Sequence, residues 1–484
     1  MAFNSYYFIL YFLPLSVIGY LLLRSAASRL RPERALAVRQ IYGIFLSVFF
    51  YYQNETSGSW GILLLLLAVN YILARWACAA PAPSRRRHLL AAGVTFNVLI
   101  LFAYKYAATA MTVFNILFGT SFAVPALSAP SGLSFLVFQQ IIYLADACSL
   151  KTSGDTALDY LTYITWFPKL LSGPITPRGD LLESFHEEKD APVSGRILSG
   201  LILFCIGLGK KVLLADVLSL AVDWGFENLD LITSADAVIV TLSYTFQIYF
   251  DFSGYTDMAR GISRMLGIEL PLNFNSPYRS LSIREFWDRW HMSLTNFLTR
   301  YIYIPLGGSR KGRWMTWRNT MIVFLISGLW HGSAPSFLIW GALHGFLSLL
   351  NREASGIWEK IPRILRWLST FACVNLLWLL FRAQSIRKFL RILKTMFLGG
   401  TFAVSSGLLE EMAAMSPISG LGGGAVLAVY LILSLVICLL PHNTNGLKPD
   451  GAGVRLPQMA LAMVLLITSL FYLGEVGSFL YFNF

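Results

Sequence analysis

What most constrains this chain is a succession of apolar runs, too long for surface elements and too numerous for a single anchor. They occupy residues 6–23, 41–52, 60–74, 89–104, 111–122, 133–144, 158–171, 197–208, 237–250, 321–350, 364–381, 425–440 and 459–473. A bilayer core takes roughly 20 apolar residues per upright helix. The runs therefore predict about eleven to thirteen transmembrane or re-entrant helices, several of them too short to span upright. Only helices or closed barrels satisfy their backbone in lipid, and these runs lack a barrel's alternation. The expected fold is an all-α polytopic membrane protein, with residues 1–484 in one membrane-embedded domain.

Charge agrees with that fold. Only 13% of residues are charged, against about a quarter in soluble domains. The formal net charge of +12 is no nucleic-acid signal, because the excess sits in short loops. Arg24, Arg29, Arg31, Arg34 and Arg39 follow the first run, and Arg75, Arg85, Arg86 and Arg87 follow the third. Between them, Asn54, Glu55 and Thr56 follow the second. The alternation predicts an N-terminus on the outer side. Residues 1–23 read as a retained span, since no positive segment precedes the run and no small-residue cleavage site follows it. Cys78, Cys148, Cys205, Cys373 and Cys438 lie scattered, mostly in apolar runs, and suggest neither a disulfide framework nor a metal site.

Three stretches depart from the membrane pattern. Residues 176–196 are polar and mixed in charge, with Glu183, His186, Glu187, Glu188, Lys189 and Asp190, and are expected to form an exposed loop. Residues 442–456, rich in Gly, Asn and Pro, are expected to form another. The third, 273–318, is the most informative. Ser282 and Glu285 have the spacing of a capping box. The helix it opens carries Phe286, Trp287, Trp290, Leu294, Phe297 and Leu298. Continuous helix would put Arg284, Asp288 and His291 on one face. This helix suits an interfacial position against anionic headgroups. A sharper reading is that His291, oriented by Asp288, faces a substrate path, and the two readings are compatible. Arg310, Lys311, Arg313 and Arg318 then form a basic run expected on the cytoplasmic side.

Between Arg318 and Arg352 there is no Asp, Glu, Lys or Arg, yet His331 and His344 lie there. As one helix the apolar part would be about 45 Å long, more than a bilayer core requires. It is interrupted at Gly328-Leu329-Trp330-His331-Gly332-Ser333-Ala334-Pro335. Broken backbone at membrane depth is tolerated where protein or a water-filled cavity covers it. A histidine at such a break is a functional candidate by default; the alternative is a buried histidine satisfied by a carbonyl. His344, within continuous helical sequence, points elsewhere on an ideal helix. Imidazole can take a proton from an attacking hydroxyl and return it to a leaving thiolate. No G-x-S-x-G elbow and no glycine-rich nucleotide loop occur. Upstream, Asp251 and Asp257 lie in an aromatic run, where carboxylates should face the interior. They either hold neighbouring helices or line the path.

The chain resembles the membrane-bound O-acyltransferase family, in particular its bacterial alginate O-acetylase branch. The resemblance is carried by Phe12-Leu13-Pro14, Phe167-Pro168-Lys169-Leu170-Leu171-Ser172-Gly173-Pro174-Ile175 and Asp251-Phe252-Ser253-Gly254-Tyr255-Thr256-Asp257-Met258-Ala259. It continues through Asn273-Phe274-Asn275-Ser276-Pro277-Tyr278, Glu285-Phe286-Trp287-Asp288-Arg289-Trp290-His291, Gly328-Leu329-Trp330-His331-Gly332 and Trp340-Gly341-Ala342-Leu343-His344-Gly345. The most diagnostic part is about 160–350, and 351–484 is less so. The resemblance implies a ring of helices around a central funnel or tunnel. His331 matches the family's catalytic histidine and His291 its second histidine; Asp288, Trp330, Asp251, Asp257, Asn275 and His344 are supporting or path-lining candidates. It further implies a cytoplasmic thioester donor, acetyl-CoA, with no bound cofactor or metal. The acceptor would be an extracytoplasmic polysaccharide, reached through a partner of the SGNH-hydrolase type, at the bacterial inner membrane.

A proton-coupled transporter or lipid-linked sugar flippase would also be polytopic and basic in its loops. Such proteins often show two matching halves, and no internal repeat is visible here.

Overall fold

The computed structural model describes residues 1–55, 57–186, 192–414, 416, 418–441, 443–473 and 479–480. Among the described residues there is no strand. The helices run as α1 (Leu13–Ala27), α2 (Pro32–Asn54), α3 (Trp60–Ala79), α4 (Pro83–Lys105), α5 (Ala107–Phe118), α6 (Leu133–Cys148), α7 (Ala157–Thr165), α8 (Phe167–Leu170), α9 (Arg178–His186), α10 (Val193–Gly209) and α11 (Asp216–Glu227). They continue as α12 (Ser234–Met265), α13 (Ile283–Arg289), α14 (Met292–Leu298), α15 (Arg313–His331), α16 (Pro335–Glu353), α17 (Ser355–Trp358), α18 (Arg363–Ala383), α19 (Ile386–Leu398), α20 (Ser406–Ala414), α21 (Gly423–Leu439) and α22 (Leu456–Tyr472).

Among the described residues, six helical segments are long and apolar enough to cross a bilayer: Phe8–Ala27, Pro32–Asn54, Trp60–Ala79, Pro83–Lys105, Val193–Glu227 and Arg363–Ala383. Four shorter apolar helices, α5, α6, α21 and α22, accompany them. The chain is a polytopic helical membrane protein. Residues 178–186, expected as loop, form the helix α9. Glu187, Glu188, Lys189 and Asp190 of that expected loop, and His442 of the other, lie outside the described residues.

The chain divides into two compact units. The first comprises Met1–Leu201, Ala259–Pro271 and Pro449–Gly453. Prolines open its helices α2 and α4, at first-turn positions where a missing N–H costs nothing. Inside it, Phe3, Phe8, Phe12, Phe50 and Phe167 pack ring against ring. Asn97 donates to Asn70 across α3 and α4 at 2.6 Å, an amide pair of the kind that joins helices in lipid. Thr156 and Asp159 cap α7 reciprocally, and Gln40 of α2 donates to the same carboxylate at 2.7 Å.

The second unit comprises Ile202–Met258, Leu272–Lys448 and Val454–Phe484. Here the apolar stretch around His331 is an antiparallel hairpin of α15 and α16, each 19 residues, or about 28 Å long. The turn at Gly332 relieves the excess length seen in sequence. Glycines bring the two helices close: a Cβ on Gly328 would lie 2.3 Å from the Phe337 carbonyl oxygen, and one on Gly341 2.3 Å from that of Phe324. A second close crossing occurs between α10 and α12, where a Cβ on Gly207 would lie 2.5 Å from the Gly254 oxygen.

Candidate active site

His331 is the last residue of α15, where the turn at Gly332 leaves its imidazole among rings of the second unit. It is buried, with ring centroids 4.7 Å from Trp330, 4.9 Å from Phe381 and 5.3 Å from Trp340. His344 is one ring further on, 4.8 Å from the same Trp340. The hairpin thus brings both histidines to a single indole, although a continuous helix would have turned them apart. His344 Nδ1 accepts from Trp287 Nε1 at 3.2 Å. A neutral imidazole that accepts at Nδ1 carries its proton on Nε2. His344 is thereby held in place, with Nδ1 already engaged.

His291 differs from expectation. The helix opened by Ser282 stops at Arg289, and His291 has φ +44, a left-handed conformation uncommon for any residue but glycine. The i,i+3 relation with Asp288 therefore does not exist: Asp288 is exposed, while His291 is 1% exposed. In place of Asp288, Asn273 Oδ1 lies 3.3 Å from His291 Nδ1 and also accepts from Ser293 Oγ at 2.5 Å. Phe252 stands edge-on to the imidazole at 4.7 Å, and Trp330 at 6.3 Å connects it to His331. Asn275, singled out from the same Asn273-Phe274-Asn275 phrase, is exposed; its amide N–H donates to Arg289 and its side chain accepts from Asn443. The capping box is half formed. Ser282 accepts from the Glu285 amide, but Glu285 takes the Leu281 amide rather than that of Ser282.

A cavity of about 240 Å³ lies among α13, α14, α15 and α16. Its walls are mostly apolar, with Leu294, Val323, Phe324 and Leu349. Arg284, Asp288 and Arg352 supply its charges. Ser327 lines it and lies one helical turn before His331 on α15. Trp287 lines it too, and is the donor to His344.

Asp251 and Asp257 are ion-paired. Lys211 Nζ lies 2.8 Å from Asp251 and 2.7 Å from Asp216, and Lys210 Nζ lies 2.7 Å from Asp257. Thr444 also donates to Asp257, at 3.0 Å. Sequence reasoning missed both lysines, along with Asn273 and Trp340. The pair Lys210-Lys211, directly after an apolar run, was the legible signal, since lysine at such depth requires a partner. Among the described residues no cluster of His, Cys, Asp and Glu has metal-holding geometry.

The family model for membrane-bound O-acyltransferases matches residues 151–387. The chain is 33% identical to a peptidoglycan O-acetyltransferase of Helicobacter pylori, over 100% of this chain and 98% of that protein. It is 33% identical to a probable alginate O-acetylase of Azotobacter vinelandii, over 89% of this chain and 85% of that one. A teichoic acid D-alanyltransferase of Bacillus subtilis matches at 30% over 49% of this chain and 61% of its own length.

Proposed function

The chain belongs to the membrane-bound O-acyltransferase family, and from that premise we propose that it moves an acetyl group from acetyl-CoA on the cytoplasmic side to an extracytoplasmic glycan. The observation that carries this reading is the cavity, which has guanidinium groups on its wall and Ser327 one turn from His331. Arg284 and Arg352 suit the phosphates of the donor, and the apolar interior suits its thioester arm. In the transfer, His331 takes the proton of an acceptor hydroxyl as that oxygen attacks the thioester carbonyl. The C–S bond breaks, and the thiolate leaves with the proton that His331 returns. Asn273 holds the His291 ring beside the path.

The relative matched over 98% of its length is named a peptidoglycan O-acetyltransferase, so peptidoglycan is the first acceptor to assay. The host is a bacterium and the location its cytoplasmic membrane. An SGNH-type partner completes delivery to the polymer.

The test compares polymer-bound O-acetyl in cells carrying wild-type protein or His331→Ala at matched membrane levels. Loss of acetyl with normal polymer export supports the reading. Undiminished acetylation removes His331 from the mechanism, and normal acetylation with failed export favours a transporter.

A further inference from the structure

Residues 479 and 480, which follow α22, are joined to the ion-paired face of α12 in the second unit. The Leu480 amide donates to Asp251 Oδ2 at 3.1 Å, on the carboxylate whose other oxygen meets Lys211. The Phe479 ring is 1% exposed, lies edge-on to Tyr255 at 5.0 Å, and has Lys211 Nζ 4.7 Å from its centroid. Asp251 and Tyr255 are one turn apart on α12, and so are their neighbours Phe252 and Thr256. These neighbours are the pair that serves His291: Phe252 meets the imidazole edge-on, and Thr256 Oγ1 accepts from Asn273 Nδ2 at 3.5 Å. One short segment of helix thus carries the seat of Phe479 on one flank and the seat of His291 on the next.

We infer that Phe479 and Leu480 are positioning residues for acyl transfer, acting on His291 through Asp251, Tyr255 and the Lys211 ion pair. A buried pair holds its geometry only where water stays excluded and the remaining hydrogen-bonding positions are filled. Phe479 excludes water beside Lys211, and the Leu480 amide fills the second oxygen of Asp251. With both in place the α12 turn is fixed, and the Asn273–His291 contact with it. This function of the segment rests on the acetyl-transfer reading; its effect on the burial of His291 does not.

The experiment uses full-length wild-type protein in proteoliposomes beside three variants: Phe479→Ala, Phe479→Leu, and a chain lacking residues 479–484. Two quantities are read, acetyl-transfer kinetics and carbethoxylation of His291 by diethyl pyrocarbonate, located by peptide mass spectrometry. Phe479→Ala and the shortened chain are expected to lose about 100-fold in kcat, the scale of a misplaced group near a reaction centre, at unchanged KM for acetyl-CoA. Their His291 becomes reactive, while Phe479→Leu stays protected and regains most of the rate. Protection of His291 in all three variants, or wild-type kcat in the shortened chain, overturns the inference. If wild-type protein transfers no acetyl group, the functional reading fails, and the protection pattern alone decides the role of Phe479.

Discussion

Asn273 Oδ1 lies 3.3 Å from His291 Nδ1, in the place that the helical spacing of the sequence assigned to Asp288. Chain direction explains the exchange. The left-handed turn at His291 swings the imidazole off the α13 face and toward the segment that precedes Pro277. Main-chain bonds fix the same approach: the Met292 amide donates to Asn273 and the Asn275 amide to Arg289.

Asn273→Ala should therefore lower kcat by roughly 10- to 100-fold, the scale of a misplaced group near a reaction centre. Asp288→Ala should leave kcat alone and change KM for the donor, since Asp288 lines the cavity. Initial rates at varied acetyl-CoA separate the two. Equal kcat losses in both variants would return Asp288 to His291.

Arg284→Gln and Arg352→Gln should each raise KM for acetyl-CoA about tenfold, as a charge-assisted hydrogen bond is worth about 1.5–3 kcal/mol. The increase should shrink as salt rises, because these groups are near enough to solvent to be screened. A donor lacking its phosphates should show no difference between wild type and variants. Unchanged KM in both variants places the donor elsewhere.

Gly328→Leu and Gly341→Leu test the hairpin. The atoms facing each position are main-chain oxygens at 2.3 Å from a Cβ, and these cannot move aside as a side chain can. Overpacking costs about 1–3 kcal/mol or more, so both variants should melt several degrees below wild type in detergent. Gly356→Leu, where nothing lies within 4 Å of a Cβ, should melt with wild type. Matching melting curves for all three would mean the helices stand further apart.

Glu55 supplies a pH test outside the spanning helices. Burial acts to raise its pKa, but hydrogen bonds from Ser57, from the Ser131 amide and from Tyr51 outweigh burial and hold it below the ordinary glutamate value. A carboxyl depressed on folding stabilises above its unfolded pKa, and that stability is lost as pH falls through the depressed native value. Wild-type protein should therefore lose melting temperature on acidification below the ordinary glutamate range. Glu55→Gln should start lower near neutrality and change less over the same interval. Parallel curves would show that Glu55 is not the group responsible.

Sequence alone determined the solvent and the fold class. Apolar runs of membrane length, with charge confined between them, leave the backbone only helical solutions in lipid. The break at Gly332 and the histidine before it were equally legible, because glycine, proline and imidazole at membrane depth each demand a reason. What tertiary structure alone decided was pairing. Helical spacing relates residues only while a helix continues, and the turn at His291 ended the one that linked it to Asp288. The reversal at Gly332 likewise set His331 and His344 against one indole, which no periodicity could foresee. The lysine partners of Asp251 and Asp257 come from residues 40 and 47 positions earlier. Sequence placed the two carboxylates in the interior, and only the crossing at Gly207 and Gly254 brought the lysines to them.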